Sequence, residues 1–231
     1  MVKNHLKRLA TNKSWALKRK ENKYITKPNP GAHSLKYGFP IVMAIRDMLK
    51  LARTRKETRD IMFKKNVMVD QKKRFDHKHN VGLMDIISFP SIKKSYRIVL
   101  NKKGKLNLIE IDEKESKSKI EKIVGKTAKG KQFQLNLFDG RNVLVDKNDY
   151  KVNDTIIIEL PKQKIIQHFK FEKKASILLT GGRHIGTVGV VESIEGDKLV
   201  FKNDKNEIFE TVKEHAYVIG KEKPFVKIKN E

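Results

Sequence analysis

The chain of 231 residues contains no cysteine. That absence removes disulfides, thiolate metal sites such as zinc ribbons, and cysteine nucleophiles together, and it fits a reducing compartment. Long hydrophobic runs are missing as well. No stretch approaches the roughly 18 consecutive apolar residues of a membrane span, and the basic residues of the N-terminal MVKNHLKRLA have no apolar signal-peptide core behind them. A soluble, cytosolic protein without a membrane partner is expected. The glycine-rich run 181–189 is not a nucleotide phosphate loop, since no Gly-Lys-Ser or Gly-Lys-Thr follows it and GxGxxG is missing. His5, His33, His168, His184 and His215 share no common spacing, so none is nominated as a general base. No cofactor, metal or small-molecule substrate is expected. Asp76, His77 and His79 could suggest a metal, but an HxH beside lysine and arginine without companion ligands reads more simply as an exposed or RNA-facing loop.

Negative charge is the other scarcity, with 27 acidic residues against 52 lysines and arginines and a net charge of +25. The imbalance is concentrated. Residues 1–80 hold 22 Lys/Arg against 6 Asp/Glu, and such an excess repels itself unless a polyanion neutralises it, with counterion release supplying affinity. Residues 1–40 carry 10 of these cations and one glutamate, with Pro28, Pro30, Gly31, Gly38, Pro40 and little periodicity. They read as an extended basic arm with Leu6, Leu9, Trp15 and Leu17 as apolar anchors and a short helix around 6–10. Trp15 can either stack on a base or pack as an anchor.

From Ile41 the apolar positions Ile41, Ala44, Ile45, Met48, Leu49 and Ala52 fall on one helical stripe, which predicts an amphipathic helix. Thr54 followed by Glu57 is a capping box and starts a second helix through 61–63. Residues 67–69, a turn at Asp70-Gln71 and basic residues 72–74 predict strands, and this module closes near 81–89. Beyond it β patterns dominate. Hairpins are expected over 96–111, turning at 101–104, and over 133–145, turning at Asp139-Gly140; a further strand at 155–160 stops at Pro161. The charged segment 112–122 reads as a solvated helix or loop. Short strands near 177–179, 187–194, 199–202, 208–212 and 217–219 have the cadence of a small barrel.

Arg55, Lys56 and Arg59 sit at adjacent and i,i+4 positions of the second helix and share a face, with Arg53 just before its cap. A lone helix of this kind is simply solvated. Here Lys64, Lys65, Lys72, Lys73 and Arg74 follow and extend the stripe over a helix and hairpin surface, which favours RNA. A second constellation is the run Gly181-Gly182-Arg183-His184-Ile185-Gly186-Thr187-Val188-Gly189, whose glycines let a loop enter a strand tightly before an apolar alternation.

The run Leu51-Ala52-Arg53-Thr54-Arg55-Lys56-Glu57-Thr58-Arg59, followed by Lys65 to Lys72, resembles the αL RNA-binding module named after bacterial ribosomal protein S4. Gln71 stands where that module commonly has glycine. The 181–194 segment resembles the KOW motif of SH3-like barrels in ribosomal proteins and elongation factors, with Arg183 and His184 at frequently basic loop positions. With His5-Leu6-Lys7-Arg8-Leu9-Ala10, Trp15 and Gly31-Ala32-His33-Ser34-Leu35, where Gly-Ala replaces a more familiar Gly-Pro, the whole chain is similar to the S4e family of small-subunit ribosomal proteins.

The resemblance implies an α+β multidomain chain: a basic N-terminal extension (1–40), an αL RNA-binding α/β module (41–92), a central β-rich domain (93–172) and a C-terminal SH3-like KOW barrel with tail (173–231). It implies a structural, non-enzymatic constituent of the small ribosomal subunit in the cytoplasm, with rRNA and neighbouring ribosomal proteins as partners. The RNA-binding residues expected are Lys3, Lys7, Arg8, Lys18, Arg19 and Lys20 in the arm, Arg53, Arg55, Lys56 and Arg59 on the helix, the five cations from Lys64 to Arg74, and Arg183 with His184. Two other classes compete. An RNA-modifying enzyme would use the αL module as a grip and need an acidic residue in a pocket, Asp85 and Asp139 being the carboxylates to test. A transcription or translation factor would use the KOW barrel for transient contact.

Overall fold

A computed structural model describes residues 5–203 and 205–228. The chain divides into two compact units, the first made by the chain up to Val99 with Lys105–Lys117, the second by Leu100–Gly104 with the chain from Ser118. Strands dominate both, and no helix among the described residues is long and apolar enough to cross a membrane.

In the first unit, residues 5–40 are not an extended arm. Leu6–Lys7 pairs antiparallel with Tyr24–Ile25, and the helix expected around 6–10 is a strand running into one 3-10 turn, Arg8–Ala10. Trp15 is 2% exposed and its indole Nε1 donates to the Leu35 carbonyl at 3.0 Å, so it is an anchor and no base can reach its face. Polar groups hold the rest: His33 is buried with Nε2 2.9 Å from Asp85 Oδ2, and the Asn80 amide donates to the His33 carbonyl. Such contacts link positions far apart in sequence and leave no periodic trace.

The segment expected to be amphipathic is α-helical over Ile41–Met43 and continues as a wider π turn over Ala44–Met48. Residues 41 to 45 are all 0% exposed, so its first half is core on every side, Arg46 to Met48 are half-buried, and Lys50 at φ 55° ends it before Ala52. The second helix, Arg55–Lys64, begins as its sequence predicts. The Thr54 side chain accepts from the Glu57 N–H at 3.2 Å, and the Glu57 carboxylate accepts from the Arg53 N–H at 2.7 Å, satisfying two of the donors left over at a helix start.

Beside these helices lies a five-stranded sheet ordered Lys72–Lys73, Met68–Val69, Ile86–Phe89, Lys94–Leu100 and Leu106–Ile111. The turn between its first two strands places Asp70 at φ 50° and Gln71 at φ 61°, the primed geometry of a tight hairpin. A left-handed glutamine is held there by its own side chain, whose Nε2 donates to the Ser116 carbonyl at 3.0 Å, while Asp70 Oδ1 accepts from the Ile86 N–H.

The second unit contains two five-stranded antiparallel sheets. One runs Asn142–Val145, Gln132–Leu137, Ser118–Lys129, Thr155–Glu159, Ile165–Phe169; the other runs Ile208–Val212, Lys198–Asn203, Val188–Glu195, Ser176–Leu179, Ala216–Gly220. The hairpin turn at Asp139-Gly140 and the strands of the second sheet fall where the sequence pattern puts them.

The segment 112–122 departs from expectation. Only Glu115–Lys117 is a 3-10 turn; from Ser118 the chain is a twelve-residue strand in the middle of its sheet. Lys119, Glu121 and Lys122 on it are buried. Their charges are met internally: Lys119 Nζ lies 2.7 Å from Glu121 Oε1 and 2.9 Å from Asp139 Oδ2, and Arg141 Nε lies 3.0 Å from the same Asp139 oxygen. A charge-rich pattern signals solvent only when the charges lack partners, and these have them. Burial pushes the Asp139 carboxyl up, and Lys119 and Arg141 more than reverse it; burial pushes Glu121 well above the ordinary carboxylate range against the pull of Lys119.

Lys122 joins the two sheets. Its Nζ donates to the Glu214 and Ala216 carbonyls at 2.8 and 2.7 Å, while the Tyr217 hydroxyl accepts from the Lys122 N–H and donates to the Ile120 carbonyl. Burial lowers the Lys122 ammonium to about 8. The unfolded chain, whose lysine keeps its ordinary 10.5, therefore binds more protons between these values, so stability rises with pH across that window. The rise expected is on the order of 2–3 kcal/mol, because each tenfold loss of proton affinity on folding is worth about 1.4 kcal/mol. Urea unfolding at a series of pH values should show it, and Lys122→Met should flatten it.

Candidate nucleic-acid interface

In the first unit the cap at Thr54 sets the direction of the Arg55–Lys64 helix, and Thr58 and Met62 turn its inner face to the core. The outer face is left to Arg55, Lys56 and Arg59, all exposed, with exposed Arg53 just before the cap. None of these side chains forms an ion pair among the described residues. Lys64 and Lys65 are exposed at the helix end, and Lys72 and Lys73 on the neighbouring hairpin, in register with Val69 and Met68. Arg74 is half-buried.

The His77 imidazole shows that helix and hairpin exit lie together. Its pKa is lowered first by burial, with the charges of Arg55 and Arg59 adding to the effect and Asp76 opposing it. Asp76 is engaged locally, accepting from Asn29 Nδ2 at 2.7 Å and from the Lys78 N–H at 2.9 Å. The result is one cationic face with few acidic groups, suited to a chain of phosphates.

Sequence reasoning missed two aromatic rings on this face. Phe63 is 73% exposed and Phe75 56%, and their centroids are 6.0 Å apart at 55°. The signal was present: Phe63 continues the i, i+4 series Arg55, Arg59, and Phe75 directly follows Lys72-Lys73-Arg74.

The arm cations divide. Lys7, Lys18 and Lys20 are exposed; Arg19 is half-buried and donates to the Leu9 and Thr11 carbonyls. Arg8 is 3% exposed, its Nη1 donating to the Lys18 carbonyl at 2.8 Å and lying 3.3 Å from Glu21 Oε2, so it braces the arm. Arg8 and Arg53 also line an open cleft with Arg46, Lys50, Glu21 and Asp47. Lys3 lies outside the described residues.

In the second unit the glycine loop is locked in place. Gly186 has φ 77°, donates to the Leu179 carbonyl at 2.7 Å, and sits so close to the turn at Asn101 that a Cβ would clash with its carbonyl oxygen. Arg183 is exposed at the loop tip, whereas His184 is half-buried and lies against Phe209 at 4.1 Å between centroids.

The carboxylates an RNA-modifying enzyme would need are occupied in structure. Asp85 accepts from the Gly82 N–H and contacts His33, Asp139 is held by Lys119 and Arg141, and both are buried. A β-rich, strongly basic multidomain chain that displays exposed cations over a helix and hairpin falls in the class of polyanion-binding proteins. Two family models match it, the RS4NT (NUC023) domain over residues 2–36 and Ribosomal family S4e over residues 92–165. Among curated relatives, small ribosomal subunit protein eS4 of Korarchaeum cryptofilum is 42% identical over 97% of both chains, and that of Methanocella arvoryzae 40% over 98% of both. The crystal structure of the 30S ribosomal protein S4e from Thermoplasma acidophilum superposes with a TM-score of 0.69 at 30% identity, covering 80% of this chain and 95% of that one. The chain belongs to the small ribosomal subunit protein eS4 family.

Proposed function

We propose that the chain is a structural, non-catalytic constituent of the small ribosomal subunit in the cytoplasm, where it binds rRNA and holds converging RNA segments together. The observation that carries this reading is the exposed face of Arg53, Arg55, Lys56 and Arg59, continued by Lys64, Lys65, Lys72 and Lys73. Cations there neutralise phosphates of segments that would otherwise repel, and release of condensed counterions supplies the affinity. Recognition is of RNA shape, because the deep groove of A-form RNA is closed to side chains.

In this reading residues 41–92 act as an αL RNA-binding module, 93–172 as a central β domain and 173–231 as a KOW barrel presenting Arg183 and His184. The basic extension over 1–40 adds Lys3, Lys7, Lys18, Arg19 and Lys20, Arg74 adds to the hairpin, and Arg8 braces the backbone that presents its neighbours. Ribosomal proteins adjoining these surfaces are the remaining partners. The relatives named small ribosomal subunit protein eS4 support the assignment over nearly the full chain length.

Sedimentation of ribosomal subunits through gradients of rising salt tests it. The protein should stay with the small subunit at moderate salt and leave only as rRNA begins to lose its integral proteins. Departure at moderate salt would instead mark a transient factor using its barrel for contact.

A further inference from the structure

We propose that Phe63 and Phe75 form a stacking platform for an unpaired rRNA base, set within the cationic face. This inference rests on the rRNA-binding reading above and specifies what the centre of that face recognises. Two large apolar rings left mostly in water forgo the burial that each would gain in a core. Both stand side by side on separate elements, Phe63 in the last turn of the Arg55–Lys64 helix and Phe75 just beyond the Lys72–Lys73 strand, and their rings are already in contact distance.

Charge decides the kind of partner. Arg55, Arg59 and Phe63 follow one another at four-residue intervals along one helix face, so an RNA strand whose phosphates lie on the arginines meets the ring one turn later. Exposed Lys64 and Lys65 follow Phe63 and exposed Lys72 and Lys73 precede Phe75 along the chain, and the neighbouring acids are Asp76, whose carboxylate is engaged by Asn29 and the Lys78 N–H, and Asp60, one position beyond Arg59 on the helix. A protein surface apolar enough to cover the two rings would bury these lysines and arginines against nothing. A nucleobase carries its own phosphates to them. Single-stranded RNA is held in this combination of aromatic face and cationic track, and every base offers a face to stack.

The test measures binding of purified full-length protein to small-subunit rRNA transcribed from the source genome, across a KCl series. Phe63→Leu/Phe75→Leu keeps the surface apolar and removes the rings, and Phe63→Ala/Phe75→Ala removes both. Because the side chains are exposed, circular dichroism of both variants should match the parent. Stacking predicts that both lose affinity about 5- to 100-fold, the range expected for one base. The slope of log affinity against log salt should be unchanged, since no charge is removed. Irradiation of the parent complex at short ultraviolet wavelength should crosslink a peptide containing Phe63 or Phe75 to RNA. Parent-like affinity in both variants overturns the platform while leaving the rRNA-binding reading intact, as does an affinity kept by leucine and lost only with alanine. A parent protein that fails to bind the rRNA overturns both.

Discussion

Replacing Arg53, Arg55 and Arg59 together by glutamine should lower rRNA affinity on the order of 100-fold or more at 0.1 M salt, with each lost phosphate contact contributing roughly 0.7 to 0.9 to the salt slope. The slope of log affinity against log salt should become shallower by about 2 to 3 if all three meet phosphates. Folding should be unaffected, because all three side chains are exposed and the only part of them that the Thr54–Glu57 cap uses is the Arg53 backbone N–H. Filter binding across a KCl series measures both quantities. An unchanged slope would show that the arginines are solvated in the complex and would move the interface elsewhere. The contrast with the phenylalanine variants is the useful one: charge removal alters affinity and slope, whereas ring removal alters affinity alone.

Lys119→Met should destabilise the second unit by about 3 to 5 kcal/mol, the usual result of removing one partner from a buried ion pair. The ammonium lies between Glu121 and Asp139, all three nearly inaccessible to water, and its loss removes a cation from Asp139 and leaves the buried Glu121 carboxyl without a polar partner. Asp139 keeps Arg141. The double variant Lys119→Met/Glu121→Leu should therefore recover a substantial part of the loss, since it also removes the buried carboxyl that Lys119→Met leaves without a partner. Urea unfolding of the full chain measures each variant. A single variant within about 0.5 kcal/mol of the parent, as for a surface substitution, would show that water reaches the cluster.

Local chemistry was legible wherever neighbours in sequence are neighbours in space. The Thr54–Glu57 box, the tight turns at Asp70-Gln71 and Asp139-Gly140 and the strands after Lys174 all depend on residues a few positions apart. The helix arginines belong here too, since i,i+4 spacing places them on one face without further information. The family resemblance carried by those motifs extends over nearly the whole chain.

Three features were not legible, and each depends on contacts between distant positions. The segment 112–122 looked solvated because its lysines and glutamates alternate, yet Lys119 and Lys122 find Asp139 and the Glu214 and Ala216 carbonyls 20 to 94 residues away. The N-terminal residues looked extended because Trp15, Arg8 and His33 are held by polar contacts to Leu35, Lys18, Glu21 and Asp85 rather than by a periodic apolar face. The segment from Ile41 looked amphipathic throughout, yet its first five residues are buried on every side and only from Arg46 does it reach solvent.

By itself, then, the sequence determined a cysteine-free, strongly basic and β-rich chain, the capped arginine helix and the chemical class of its partner, a polyanion. Only the tertiary structure decided which charges are available to that partner. A cation's role depends on what surrounds its head group: Arg8 and Lys119 meet internal acceptors and brace the fold, while Arg55 and Arg59 meet solvent beside two exposed rings. Charge is a property of composition, and its availability is a property of packing.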